Sequence, residues 1–309
     1  MADKFEGGEW VWKDGEFIRW EEATVHVLST AVQFGTSVFE GMRAYETAKG
    51  PAIFRLDAHL RRLETSARTY RMSPEFSRDE LAAACVEGVG RNGLRSCYIR
   101  PMVLRGFGAA GLNPLASPIE CYIPMWPWGA YLGAEALESG VDVGVSSWNR
   151  PAPNTFPSGA KAAGNYNNSQ LIALEAMRHG YKEGIALGPS GLVSEGSGQN
   201  LFLVMDGLLI TPILDGTSLS GITRHSVMEI AKEQGIPVQE QLVPREMLYA
   251  ADELFFTGTA TEVTPIRSVD GLEVGAGGCG PVTRKLQERY LAIARGETED
   301  PFGWLTYVD

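Results

Sequence analysis

The sequence predicts an α+β protein of two domains, a smaller one over residues 1–127 and a larger one over 136–309. Three observations carry this. A chain of 309 residues is long enough to bury two ordinary cores. Apolar runs of period 2 and of period 3.6 follow one another in mixed order, without the strict strand–helix alternation of a doubly wound sheet. Residues 126–136, "WPWGAYLGAEA", concentrate Pro, Gly and Trp between two such blocks, and residues 128–135 are expected to join the domains.

In chain order, "EWVWKDGEFIRW" reads as a hairpin turning at Asp14-Gly15 between aromatic-rich strands. "DAHLRRLETSARTYRM" spaces Leu60, Leu63, Ala67 and Tyr70 as the apolar face of a helix. Ser77 with Glu80 forms a capping-box signal for a helix through "DELAAACVEGV". "SCYIRPMVL", "IECYIPMW" and "VDVGVSSW" read as strands, and "SQLIALEAMRHG" as a helix stopped by Gly180. From 184 to 211, short apolar runs separated by "GPSG" and "DG" suggest an antiparallel meander. "GITRHSVMEIAKEQG" is a helix ending at Gly235. A β-like "IPVQEQLV", a short helix from Pro244, the strand "ELFFTG" and a last helix through "PVTRKLQERYLAIA" follow.

Bulk properties narrow the function. A formal net charge of −11 argues against a nucleic acid or an anionic membrane as partner, while local basic pockets for small anions stay possible. Cys85, Cys97, Cys121 and Cys279 lack metal-ligand or redox spacing and suggest reduced thiols in the cytoplasm. "MADKFEGGEW" has no apolar signal-peptide core, and no run approaches twenty apolar residues. His26, His59, His179 and His225 show no ligand pattern, so no metal is expected.

One lysine stands out. The chain has seven lysines against twenty arginines, and Lys161 in "FPSGAKAAGNYNNSQ" is the only charged residue of its stretch. Its small neighbours, Gly159 to Gly164, let other segments or a ligand approach. A desolvated lysine becomes a usable amine nucleophile, whereas in a solvated Gly-rich turn it would be inert. Three further features accompany it. Glu195 lies in a Gly/Ser-rich bend before the apolar run "NLFLV". "LSGITR" leads through Gly221 into a helix start at Ile222-Thr223, a ready phosphate site. "TGTATE", residues 257–262, is a donor-rich turn. An amine, an acid, an anion site and a basic helix carrying Arg61 match the needs of pyridoxal phosphate: a lysine for the aldehyde, an acid for the ring nitrogen and donors for the phosphate.

The chain resembles the fold-type IV, class IV pyridoxal-phosphate aminotransferases, and within them the bacterial branched-chain amino acid enzymes. The signature residues are Glu195, Ser197, Asn200, Leu201, Phe202, Leu209, Thr211, Leu219, Gly221, Ile222 and Arg224. The likeness extends over nearly the whole chain, through "VHVLSTAVQFGTSVFEGMRAY", "CYIRP", "PWGAYLG", "SSWNRPAPNT", "GTATE" and "GETED". It implies a small N-terminal and a larger C-terminal domain with the cofactor between them.

The resemblance also implies roles. Lys161 would engage the cofactor's aldehyde and shuttle the substrate proton. Glu195 would face the ring nitrogen, Tyr166 the ring hydroxyl. Arg61, Ile222, Thr223 and Thr259, with Gly221 and Gly258, would hold the phosphate. Tyr98 and Arg100, two apart in "CYIRP", would share one face of the substrate pocket, with Phe39, Trp128 and Tyr131 as apolar walls and the Thr259-Ala260 turn taking the α-carboxylate. Arg100 would bind the second carboxylate of glutamate. Leu112 would reach a partner subunit's site and favour aliphatic side chains. Phe34 stands where several relatives carry Tyr, and Gln199 where relatives often carry Glu, removing one negative charge. The expected activity is transamination from Leu, Ile or Val to 2-oxoglutarate in a cytoplasmic homodimer or larger homo-oligomer, with D-amino acid or (R)-amine transamination, or aminodeoxychorismate-type lysis, as the alternatives on this scaffold.

Overall fold

A computed structural model of the chain describes residues 7–108, 111–129 and 134–308. Backbone contacts group the chain into two units. One takes Met1–Gly129, Ala160–Gly164 and Ile293–Asp309, the other Ala130–Gly159 and Asn165–Ala292. The chain therefore changes unit four times rather than once near residues 128–135, because the lysine segment and the last strand pair with the N-terminal unit.

Among the described residues the first unit holds two five-stranded sheets. One runs in the order Glu16–Arg19, Trp10–Lys13, Ile119–Ile123, Met102–Arg105, Ser37–Phe39. The other runs Leu305–Tyr307, Gly50–Phe54, Met42–Thr47, Cys97–Ile99, Met125–Pro127. The runs expected as single strands in "SCYIRPMVL" and "IECYIPMW" are each broken in two. Pro101 and Pro124 have no N–H to donate, so the ladder cannot continue through them, and each chain crosses from one sheet to the other there. The segment from Ser37 to Thr47 makes the same crossing at Glu40-Gly41. The three crossings are stitched together: Glu40 N–H donates to Pro101 O at 2.8 Å, and Arg100 N–H donates to Pro124 O at 3.0 Å. Strands that switch sheets in this way make a corner. At Gly41 a Cβ would lie 1.8 Å from the Tyr98 hydroxyl, so only glycine fits.

Helices Leu56–Thr69 and Arg78–Arg91 cover this unit, the second closed by the expected Ser77/Glu80 capping box. The hairpin at Asp14-Gly15 is present, with φ of 44° and 101° at its turn. Strand Leu305–Tyr307 pairs antiparallel with Gly50–Phe54, and Arg55 N–H donates to Trp304 O at 2.7 Å.

The second unit is a nine-stranded sheet among the described residues. Its main order is Val193–Gly196, Glu183–Leu187, Val141–Val145, Glu262–Val269, Glu253–Gly258, Asn200–Met205, Leu208–Pro212, Val238–Gln241, with Leu272–Glu273 paired to Glu262–Val269. The meander expected over 184–211 is instead two separate hairpins. Strands from 141–145, 262–269 and 253–258 lie between them, a non-local pairing that apolar patterning does not reveal. The core is built from Val143, Ile185, Leu201, Leu203, Leu254 and Phe256.

Candidate active site

In the first unit, the lysine segment lies along strand Ser37–Phe39. Ala162 bridges Val38, and Phe39 N–H donates to Lys161 O at 3.0 Å. Lys161 N–H donates to Ser66 Oγ at 3.0 Å, and its Nζ lies 4.8 Å from the centre of the Phe39 ring. The small residues around Lys161 thus permit close backbone pairing rather than a solvated turn.

The strand-crossing corner gathers Phe39, Tyr98, Arg100 and Trp128 of the expected substrate residues. The Arg100 guanidinium lies over Phe39 at 4.8 Å, Tyr98 at 5.1 Å and Trp126 at 5.5 Å. Tyr98 packs against Trp126 at 5.1 Å and Trp128 at 4.9 Å. Among the described residues no carboxylate pairs with Arg100, and its buried Nε has no hydrogen-bond partner. A structural ion pair, the plain alternative for this arginine, is absent there. Trp126, in strand Met125–Pro127, joins the corner without having been expected from the sequence. Tyr131 lies outside the described residues. Phe34 is half-exposed, and Leu112 is 87% exposed. Arg105 anchors the segment after Leu112, donating to Pro114 O at 2.9 Å and to Arg71 O at 2.7 Å.

Arg61 requires a correction. It projects to solvent from helix Leu56–Thr69, its side chain 66% exposed and paired with Asp57 one turn earlier. The inward face carries His59, Arg62 and Ser66, the spacing of neighbouring helical turns, and Ser66 is the residue that contacts Lys161. Arg62 Nε and Nη2 donate to Glu40 Oε1 at 2.6 Å and Oε2 at 2.9 Å, and His59 Nδ1 lies 2.7 Å from Oε2. Burial alone would raise the Glu40 carboxyl, but the charge and hydrogen bonds of Arg62 and His59 outweigh it and hold Glu40 well below the usual carboxylate range. Burial likewise pushes His59 below its ordinary value, against the pull of Glu40. Glu40, His59 and Arg62 form a buried clamp beneath the lysine segment. The apolar stripe of Leu60, Leu63 and Ala67 does not by itself choose between Arg61 and Arg62.

In the second unit, Asn200 is the hub. Its Nδ2 donates to Glu195 Oε2 at 3.3 Å and Leu219 O at 2.9 Å. A Cβ on Gly221 would meet its Oδ1 at 1.8 Å, and strand register sets it opposite Thr257. Glu195, the start of helix Ile222–Glu233 and the Thr259–Thr261 turn are thereby brought together. Gly221 is that helix's N-cap and offers no capping oxygen to its first amides. Thr223 is buried, and the buried Thr257 Oγ1 has no hydrogen-bond partner among the described residues. Arg224 braces the helix start, its Nη2 donating to Pro212 O at 3.0 Å and Glu240 Oε2 at 2.6 Å, its Nε to Thr211 Oγ1 at 3.3 Å. Gly258 and Thr259 close the hairpin from Glu253–Gly258 to Glu262–Val269. Tyr166 begins helix Tyr166–Arg178. Gln199 donates to the buried Glu183 at 2.8 Å, a place where a second carboxylate would face the first.

The family model described as amino-transferase class IV matches residues 37–269. The chain is 53% identical to the branched-chain-amino-acid aminotransferase of Escherichia coli strain K12, over 97% of this chain and 98% of that one. A crystal structure of the Escherichia coli branched-chain amino acid aminotransferase superposes with a TM-score of 0.96 at 52% identity, covering 98% of this chain and all of that one. The T.th. branched-chain amino acid aminotransferase with pyridoxamine 5'-phosphate gives 0.95 at 48%, covering 99% and 100%.

Proposed function

Because the chain belongs to the class IV aminotransferases, we propose that it transfers the amino group of Leu, Ile or Val to 2-oxoglutarate, giving the branched-chain 2-oxo acid and L-glutamate. The activity is branched-chain amino acid transamination and the cofactor is pyridoxal phosphate. The observation that supports the substrate pair is the Arg100 corner: aromatic walls for an aliphatic side chain, and among them a guanidinium with no carboxylate partner among the described residues.

The donors fit the cofactor. The buried Thr257 Oγ1 without a partner, the bare N-cap at Gly221 and the donor-rich 259–261 turn suit a phosphate, and Glu195 suits a protonated ring nitrogen. When bound, pyridoxal phosphate supplies an aldehyde that accepts the amine and a ring that takes up electron density from the substrate Cα. Ile222, Thr223 and Thr259 would hold the phosphate, with Arg62 rather than Arg61 as the arginine for it, and Glu40 holds Arg62 in its place. Tyr166 would orient the ring through its hydroxyl, and Glu195 would hold the proton at the ring nitrogen. Lys161 Nζ would hold the cofactor through its aldehyde and would move the substrate's Cα proton. The Thr259-Ala260 turn binds the α-carboxylate, and Arg100 the second carboxylate of the dicarboxylic partner.

The apolar side chains of Val27, Leu28, Val32, Phe34, Leu112 and Leu115 stand exposed, surface that a second copy of the chain would cover in a homo-oligomer. Among the described residues no helix is long and apolar enough to cross a membrane. Cys85, Cys97, Cys121 and Cys279 are free thiols, as suits a reducing compartment such as the cytoplasm. The test is direct. Protein loaded with pyridoxal phosphate and given L-leucine with 2-oxoglutarate should form L-glutamate and the matching 2-oxo acid. Turnover of a D-amino acid or (R)-amine instead, or pyruvate release from aminodeoxychorismate, would reassign the substrate.

A further inference from the structure

The guanidinium of Arg150 is buried in the second unit and has no role so far. Its side chain is 6% exposed, and Nη2 lies 3.0 Å from Glu195 Oε1. The same nitrogen donates to Gly196 O at 2.7 Å and Ser197 O at 2.8 Å, while Nη1 donates to Ser169 Oγ at 2.9 Å and Asn168 Oδ1 at 3.2 Å. The other Glu195 oxygen receives Asn200 Nδ2 and, at 3.2 Å, the Leu219 N–H. One oxygen of the carboxylate thus lies against a cation, and the other accepts from two neutral donors. Asn168 and Ser169 belong to the first turn of the helix that Tyr166 begins, so one side chain ties the Glu195 bend to that helix start.

We propose that Arg150 is a positioning residue for transamination: its charge keeps Glu195 a carboxylate, so that the proton Glu195 shares with the cofactor's ring nitrogen resides on the nitrogen. The inference rests on the reading that Glu195 faces that nitrogen. A carboxylate removed from water without a cation beside it gains affinity for a proton, and would draw it off a neighbouring pyridine. A guanidinium 3.0 Å from the carboxylate reverses that preference through its charge. With the charge removed, the neutral donors Asn200 Nδ2 and Leu219 N–H stabilise the Glu195 carboxylate less, and the proton moves to the acid.

Solid-state 15N NMR of enzyme loaded with pyridoxal 5'-phosphate labelled at its ring nitrogen tests this. The wild-type signal should fall in the pyridinium range. Glu195→Gln should move it toward neutral pyridine. Arg150→Gln should move it the same way, with kcat down by at least ~10-fold, while Arg150→Lys should keep the pyridinium signal because it keeps the charge. Arg150→Met, of similar length, serves as the neutral variant if Arg150→Gln does not fold. A signal that moves in Glu195→Gln but stays at the wild-type position in the neutral Arg150 variant makes Arg150 a strut only and overturns the proposal. A neutral pyridine in Arg150→Lys also overturns it. If Glu195→Gln itself leaves the signal unmoved, it is the placement of Glu195 that fails.

Discussion

Replacing Arg100 with Leu separates the two substrates. In the wild type the guanidinium rests on Phe39, Tyr98 and Trp126 without a carboxylate partner among the described residues, so the substitution strands no buried acid. What the folded enzyme loses is three ring contacts of about 0.5–2 kcal/mol each, offset in part by the apolar leucine. What glutamate and 2-oxoglutarate lose is a charge-assisted contact in a largely desolvated corner, about 2–5 kcal/mol, or a fall in kcat/KM of about 30-fold to several thousand-fold. Leucine has no second carboxylate, and the walls of Phe39, Tyr98, Trp126 and Trp128 remain for it. Its half-reaction, followed through the cofactor spectrum in single-turnover experiments, should slow by less than about tenfold. The ratio of the two losses is the measured quantity, and it cancels any general loosening of the fold. Equal losses for both substrates in a folded, cofactor-loaded variant would refute the assignment.

Other outcomes follow from the same geometry. Lys161→Ala should fold and yet not transaminate, and borohydride reduction of the wild type followed by peptide mapping should label Lys161; a label on another lysine would displace the site. Arg62→Lys keeps the charge against Glu40 but loses the two-point contact, so cofactor should bind about tenfold more weakly, while Arg61→Ala should change binding by less than about twofold. Equilibrium titration of apoenzyme distinguishes the two arginines, and the reverse ranking would restore Arg61. His59, held below its ordinary value by burial, takes up its proton more readily in the unfolded chain. The stability it contributes is thus full above about pH 6.5 and is lost as pH falls below that value. Urea unfolding at about pH 7.5 and about 5.5 should show this loss, and His59→Gln should flatten it; an identical slope in the variant would assign the effect elsewhere.

Local chemistry was legible in the sequence where one residue decides it. Asp14-Gly15 can turn a hairpin, Ser77 and Glu80 cap each other, and Lys161 lacks any charged neighbour. Where a phase or a distant partner decides, it was not. Arg61 and Arg62 differ only by about 100° around a helix, and the apolar stripe that fixes this phase reads as core without naming which arginine it turns inward. Pro101 and Pro124 did announce a break in each ladder, but not that the halves join different sheets. The strands inserted between the two hairpins of 183–212 come from segments far along the chain, and no local pattern marks such pairing. Arg150 stands in "SSWNRPAPNT" with nothing to distinguish it from a surface arginine, since its partners at 168–169 and 195–197 meet it only in the fold.

The edge strand Leu305–Tyr307 bears on how the polypeptide is made. Its partner, Gly50–Phe54, leaves the ribosome early and waits through synthesis of the entire second unit for the strand that covers it, with Val308 N–H finally donating to Pro51 O at 2.9 Å. During that interval the nascent chain carries an open sheet edge, the kind of template on which neighbouring polyribosome products can pair. The unit that holds Lys161 is therefore the first begun and the last closed. Removing residues 304–308 should leave an early-exposed edge that recruits chaperones or aggregates, even though every residue assigned to chemistry has already been translated.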